Sequence, residues 1–329
     1  MLKTSKYFSV GHPDKLCDYI CNYIYDRYLE LDPMSQCSLS VQMKENFVNI
    51  AGEISSAAEL DESRIDMFVK DAIAEVGYTG EYQQKWGKQN AICAEDIEVN
   101  QLISCGNKPK PVLDTWLASE VGWGVAVNTP QTNYMPLEQH LSKRICNLLQ
   151  ALDVGGIDIL TQVSVNRGGI QSVSVEMPLY ADVDKGYIRD IIGNLCINDN
   201  QNKIFINPDG NFAKHGTLRK CGTSGKCDFI DFRNPAVLLN TGDSGLVLCL
   251  IARFVALEYI KADPAMGEVY CSVSSAPKSD KINISLWDNC MNEINSYSRN
   301  VVPLDLVELF KLDKPCRCDM CNFGIFNII

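Results

Sequence analysis

No stretch of this 329-residue sequence is apolar enough, for long enough, to cross a bilayer. The most apolar run, Leu246 to Ile260, is interrupted by Arg253 and Glu258 and reads as a buried helix. Positive charge is also in short supply: 30 lysines and arginines stand against 41 aspartates and glutamates, a formal net charge of -11. A chain this acidic gains nothing from its overall field in approaching nucleic acid or an anionic membrane, so neither is an expected partner. Any polyanion it binds must be held by a local pocket. Met1 to Ser9 is polar and lacks the apolar core of a secretory leader, which points to a cytoplasmic protein. The fifteen cysteines are odd in number, and Cys17, Cys21, Cys146 and Cys249 sit inside apolar helical patterns. They read as reduced, buried small hydrophobes and not as a disulfide framework.

What is present is an ordinary globular balance, 46% hydrophobic and 22% charged. Leu16, Ile20 and Ile24 recur at helical spacing, which predicts a helix over 12–31 stopped by Asp32-Pro33. Ser38–Met43 and Asn46–Ile54 read as strands of a hairpin, Glu62–Glu75 as an amphipathic helix, and Ala91–Val99 as a further strand. A similar order recurs twice. A helix over 137–152 precedes strands 158–165 and 170–177 around Asn166-Arg167-Gly168-Gly169, then a helix over 187–196. Later, a helix over 244–260 precedes strands 269–273 and 282–286 and a helix over 303–310. The expectation is an α+β protein of three related units, 1–104, 112–204 and 205–329, each laying helices on one face of a sheet.

Gly11-His12-Pro13-Asp14-Lys15 opens the first helix. Proline suits a first turn, whose free N–H groups then face an anion. His12 and Lys15 add donors for phosphate, and Asp14 is a ligand type for Mg²⁺. A helix start with a convenient cap fits the same five residues. Cys316, Cys318 and Cys321 are spaced for zinc or copper but have no nearby histidine, and His140 and His215 show no partner constellation.

Further landmarks follow in order: Gly52-Glu53-Ile54, Ile97 to Gln101, Phe205-Ile206-Asn207-Pro208-Asp209-Gly210-Asn211-Phe212, Cys221-Gly222-Thr223-Ser224-Gly225-Lys226, Ile251 to Ala256, and Cys321 to Phe326. Together with the pentapeptide they resemble the methionine adenosyltransferase (S-adenosylmethionine synthetase) family from end to end. The resemblance implies three subdomains in a pseudo-threefold arrangement, and a site shared between two chains. It implies the reaction of ATP with L-methionine to S-adenosylmethionine, phosphate and pyrophosphate, helped by Mg²⁺ and the monovalent cation K⁺. Carried over residue by residue, His12, Lys15 and Lys226 would be catalytic and would bind ATP together with Asp158 and Phe212. Glu53 and Gln101 would receive methionine, and Asp14 would hold Mg²⁺.

The departures from the family pattern remove positive charge. Leu160, Cys227, Leu239 and Asp243 stand where the family has lysines, Lys220 replaces a metal-site aspartate, and Ser40 replaces the glutamate of the K⁺ site. Glu120 stands for an aspartate, and Lys108-Pro109-Lys110-Pro111 occupies a glycine-rich lid. Arg219, Lys220 and Lys226 are candidates to restore part of that charge. A homologous partner subunit in a homo- or hetero-oligomer is the other way to restore it, and a chain that only completes or regulates such a partner's site is the alternative function. A sheet face rich in aliphatic residues is expected at the subunit contact.

Overall fold

A computed structural model of the chain describes residues 2–107, 121–167, 169–196, 203–226, 244–276, 281–301 and 303–323. Lys108–Pro111, Glu120, Cys227, Leu239 and Asp243 lie outside the described residues. Among the described residues the architecture is α+β, three four-stranded sheets with helices packed against them.

The first sheet follows from the hairpin. Strands β2 (Gln36–Lys44) and β3 (Phe47–Ser56) pair antiparallel around a turn in which Glu45 takes φ 54°. Strand β4 (Glu98–Asn107) runs parallel to β3. Helices α1 (Pro13–Leu31) and α2 (Glu62–Val76) cover one face, burying Leu16, Ile20 and Ile24 against Leu39, Val41 and Ile50. The strand expected over 91–99 begins only at Glu98, because Ala91–Ala94 is buried and Ala94 N–H donates to the Tyr78 carbonyl instead of to a ladder. Between α2 and β4 lies the short α3 (Gly80–Trp86). The uncovered face of this sheet is not aliphatic: it shows Ser38, Ser40, Asn49, Glu53 and Asn100, with Phe47 and Leu102 its exposed large apolar side chains.

The second sheet pairs β1 (Lys3–Phe8), β6 (Leu160–Asn166), β7 (Gly169–Glu176) and β8 (Ile204–Ile206) in that order. Alternation sends Val163, Val165, Val173 and Val175 inward against Ile145 and Leu149 of α4 (Leu137–Ala151) and Ile188 and Ile192 of α5 (Lys185–Cys196). The third sheet has the order β12 (Glu293–Asn300), β11 (Lys281–Asp288), β10 (Glu268–Ser275) and β5 (Val121–Val127). Against it lies α6 (Ser244–Ala262), the apolar run identified in the sequence. Gly122 and Gly124 let its backbone come close: a Cβ on Gly124 would stand 2.2 Å from the Arg253 nitrogen. Among the described residues no helix is long and apolar enough to cross a membrane. Helices α7 (Pro303–Leu309) and α8 (Arg317–Phe323) follow, and Asp26 of α1 accepts the Arg317 and Cys318 N–H groups at 2.9 Å, docking α8 on α1. Cys17, Cys21, Cys37, Cys146, Cys249 and Cys271 are buried and free of disulfides.

Each sheet takes a strand from a distant part of the chain. β1 joins β6, β5 joins β10, and the two-residue β9 (Gly222–Thr223) joins β2.

Candidate functional site

The start of α1 is fixed before any chemistry is considered. Ser9 ties the end of β1 to the start of β6, donating from Oγ to the Ile157 carbonyl at 2.6 Å and from its backbone N–H to the Ile159 carbonyl at 2.9 Å. Gly11 must be glycine, because a Cβ there would stand 2.4 Å from the Ile157 oxygen. The Tyr78 hydroxyl donates to the Gly11 carbonyl at 2.6 Å. The following residue, His12, is the N-cap: its Nδ1 accepts the Asp14 N–H at 3.3 Å, and Pro13 takes the first turn.

His12 is buried, its ring 4.3 Å from that of Phe8. Burial, followed by the charges of Lys220, Arg219, Lys226 and Lys6, pushes its pKa down to about 3. The imidazole is therefore neutral at physiological pH, and with Nδ1 accepting, Nε2 carries the proton.

The carboxylates of α1 hold the strap that follows β9. Asp14 Oδ1 accepts the Thr223 N–H at 3.0 Å and the Lys226 ammonium at 3.2 Å, and Asp18, one turn on, accepts the Gly225 N–H at 2.8 Å. Glu176 Oε2 accepts Arg219 at 3.2 Å and Lys220 at 3.3 Å. The Arg219 guanidinium also lies 3.5 Å from the centre of the Phe212 ring, a cation–π contact. Behind them Asp158 is buried, accepts the Gly216 N–H at 2.8 Å, and is pushed up to about 6 by burial, against that hydrogen bond and the charges of Arg219 and Lys220.

The structure thus gathers His12, Asp14 and Lys226, with Phe212 and Asp158 linked to them through Arg219 and Gly216. Three cations and a neutral N–H donor surround the start of a helix, a set suited to an anion of several charges. Glu176 was not singled out from the sequence; in the ladder it is paired with Leu160, on the face that opens to this site. Lys15 points elsewhere. It is buried, and its charge is felt by Tyr7 and by Lys143 of α4. Glu53 and Gln101 are on opposite faces of the first sheet: Glu53 is exposed, whereas Gln101, paired with buried Ile50, donates to Asp66 and to the Glu62 carbonyl of α2.

His215, which has no evident partner in the sequence, is fully buried, with Nδ1 2.9 Å from the Tyr82 hydroxyl and its ring edge-on to Trp86. Burial pushes its pKa down to about 4. Cys316 Sγ donates to the Lys311 carbonyl at 3.7 Å, and among the described residues no group of three or more His, Cys, Asp or Glu side chains is gathered to hold a metal ion.

These shifts predict acid sensitivity. His12 and His215 titrate below the ordinary 6.5, so their contribution to stability is complete above pH 6.5 and is lost as pH falls toward about 4 and about 3. Asp158 acts oppositely, its contribution present below 3.8 and lost as pH rises through about 6. Two histidines outweigh one carboxyl, and the urea midpoint is expected to fall from pH 6.5 to pH 4. His215→Gln should flatten that fall, and an unchanged slope would remove His215 as its source.

Comparison with known proteins places these observations. Residues 1–101 match the family described as S-adenosylmethionine synthetase, N-terminal domain. The S-adenosylmethionine synthase of Brachyspira hyodysenteriae is 27% identical over 98% of this chain and 92% of its own length. That of Pelagibacter ubique is 25% identical over 99% and 92%. Among solved structures, an unusual S-adenosylmethionine synthetase from Campylobacter jejuni shares the fold with a TM-score of 0.78 at 22% identity, over 98% of this chain and 94% of that one.

Proposed function

We propose that this chain is a divergent member of the S-adenosylmethionine synthetase family and forms S-adenosylmethionine from ATP and L-methionine. The observation that carries this is the set of His12, Arg219, Lys220 and Lys226 around the start of α1. In the reaction the neutral methionine sulfur attacks C5′ of ATP and the triphosphate departs, to be hydrolysed by water to pyrophosphate and phosphate. The demand on the protein is to stabilise charge that grows on the leaving oxygens.

His12 serves as a neutral donor to the triphosphate. Lys226, Arg219 and Lys220 are held beside it by Asp14 and Glu176, so phosphate oxygens exchange for carboxylates without a large reorganisation. Lys15, which the resemblance makes catalytic, is buried on the side of Tyr7 and Lys143 and takes no direct part in this reading. Phe212 receives adenine, with Arg219 on one face of its ring. Asp158 fixes the Gly216 turn that carries Arg219 and Lys220.

Mg²⁺ fits this donor set, because Mg²⁺ takes one or two carboxylates together with substrate phosphates, and Asp14 is a partly exposed carboxylate at the site. Asp14 would hold it, and the ion would neutralise phosphate oxygens. K⁺ fits less well: Ser40 offers one exposed hydroxyl where a carboxylate would be needed, and no role is assigned to that ion.

Glu53 is the methionine ammonium partner; Gln101, which the resemblance pairs with it, lies on the opposite face of the sheet and is bonded to the start of α2. Glu53 is exposed on a sheet face away from His12 and Asp14, and the resemblance implies a site shared between two chains. The working unit is accordingly a dimer or a mixed oligomer with a homologous subunit, in the cytoplasm. A chain that merely completes a partner's site is the less favoured function, since relatives named as synthases match it along nearly its whole length.

The test is turnover of ATP and methionine with Mg²⁺ and K⁺ by the purified chain, alone and with any homologous subunit. S-adenosylmethionine is expected, and its absence in both cases would overturn the proposal. Glu53→Gln should raise the KM for methionine about tenfold and leave that for ATP nearly unchanged, since it removes a charge-assisted hydrogen bond. Equal weakening of both substrates would make Glu53 structural.

A further inference from the structure

We propose that Lys6, on β1, is a further anion-binding residue of this site, placed to take phosphate oxygens of a polyphosphate bound beside His12. The inference rests on the reading of the site given above. Its basis is strand register. Even-numbered residues of β1 face away from α4: Thr4 bonds Ser164 across the ladder at 2.8 Å, and Phe8 packs on His12, while Ser5, of odd number, meets Ser142 of α4. Lys6 stands between Thr4 and Phe8 and is exposed on that same outward face.

The ladder then locates its neighbours. Lys6 is opposite Gln162 and Phe8 is opposite Leu160, which is paired in turn with Glu176, the residue that holds Arg219 and Lys220. Leu160 is thus the diagonal neighbour of Lys6, about 7–8 Å away and within reach of a long side chain. Where Leu160 brings no charge, the ammonium on the adjacent strand covers the gap.

Commitment separates Lys6 from the other cations. Arg219 and Lys220 are paired with Glu176, and Lys226 with Asp14. The Lys6 ammonium makes no ion pair or hydrogen bond among the described residues. It is exposed, has no carboxylate within ion-pair distance among the described residues, and is close enough to His12 to be among the charges that keep the imidazole neutral. A lone ammonium there is free to meet an anionic ligand without first giving up a partner. The chemical class is a chain of phosphates, because Lys6, Arg219, Lys220 and Lys226 all act on His12 and together call for an anion of several charges.

The experiment is calorimetric titration of the full chain with inorganic tripolyphosphate. Lys6→Met should raise Kd about tenfold or more, the loss expected of one charge-assisted hydrogen bond. Lys6→Arg should stay within about threefold, because it keeps the charge. Lys88→Met, on an exposed lysine that pairs with Asp96 and is not among the charges acting on His12, removes equal net charge and should leave Kd unchanged. Thermal unfolding of Lys6→Met should match the unsubstituted chain, since the side chain is exposed and unpaired. If Lys6→Met binds tripolyphosphate as tightly as the unsubstituted chain, or if Lys88→Met weakens binding equally, the role of Lys6 is overturned while the polyphosphate site stands. If the unsubstituted chain does not bind tripolyphosphate but does make S-adenosylmethionine, Lys6 is again overturned. Failure of both binding and turnover brings down the proposed function as well.

Discussion

His12→Ala is expected to lower kcat about 10²- to 10³-fold, the usual cost of removing one preorganised donor from a developing oxyanion. The imidazole is held in place from three sides: its Nδ1 by the Asp14 N–H, its face by Phe8, and its backbone by a Gly11 that abuts Ile157. Its low pKa, about 3, makes it a donor that does not titrate between pH 5 and 8. The kcat–pH profile should accordingly show no limb near 6.5 attributable to this residue. Alanine also removes an N-cap, at about 1 kcal/mol of stability, so kcat is to be read at a temperature where the variant is folded by circular dichroism. A loss smaller than about fivefold would show that His12 is a cap and little else.

The second large effect is on stability. Arg253→Met should lower the unfolding free energy by about 3–5 kcal/mol, since three backbone carbonyls lose a donor at about 1–3 kcal/mol for each one left unsatisfied. Arg253 is fully buried in α6, and its guanidinium donates to the Val125 carbonyl at 2.6 Å, Asn133 at 2.8 Å and Tyr134 at 3.2 Å. Asn133 and Tyr134 both take positive φ, and the guanidinium adds a side-chain clamp to the backbone hydrogen bonds that close the turn from β5 toward α4. Methionine fills a similar volume but leaves those carbonyls without that donor. Burial pushes the Arg253 pKa down to about 10, still well above physiological pH, so the charge is present and the loss should be the same at pH 6 and pH 8. Chemical denaturation measures it; a change under about 1 kcal/mol would mean that water replaces the guanidinium.

Most helices and strands were legible because their patterns are strong. Leu16, Ile20 and Ile24 mark α1, and Asp32 ends it where the sequence predicts. The edge strands were not. β1 and β12 carry mostly polar residues, and β5 contains two glycines, so none shows a clear alternation of apolar side chains. The site was legible in part for a related reason. Gly11 to Asp14 is local, and its cap and proline are written in consecutive residues. The pairing of Glu176 with Arg219 and Lys220, and the opposition of Glu53 to Gln101 across a sheet, depend on register, which no short motif encodes. Lys15 lies one residue from Asp14, and helical geometry alone turns it toward α4.

The long-range strand pairing has a consequence for biogenesis. Lys3 pairs with Val165 and Phe8 with Leu160, so the first strand made must wait for the sixth before its ladder can close. At roughly 5–20 residues per second of synthesis, that delay is on the order of ten to thirty seconds. β5 waits in the same way for β10, whose register runs from Glu268 to Ser274. Native contacts of such high sequence separation slow folding and leave strand edges open in the nascent chain. Release of a chain stopped before residue 160 should therefore yield an insoluble product, because the first strand would have no ladder to enter and His12 no second wall to rest against.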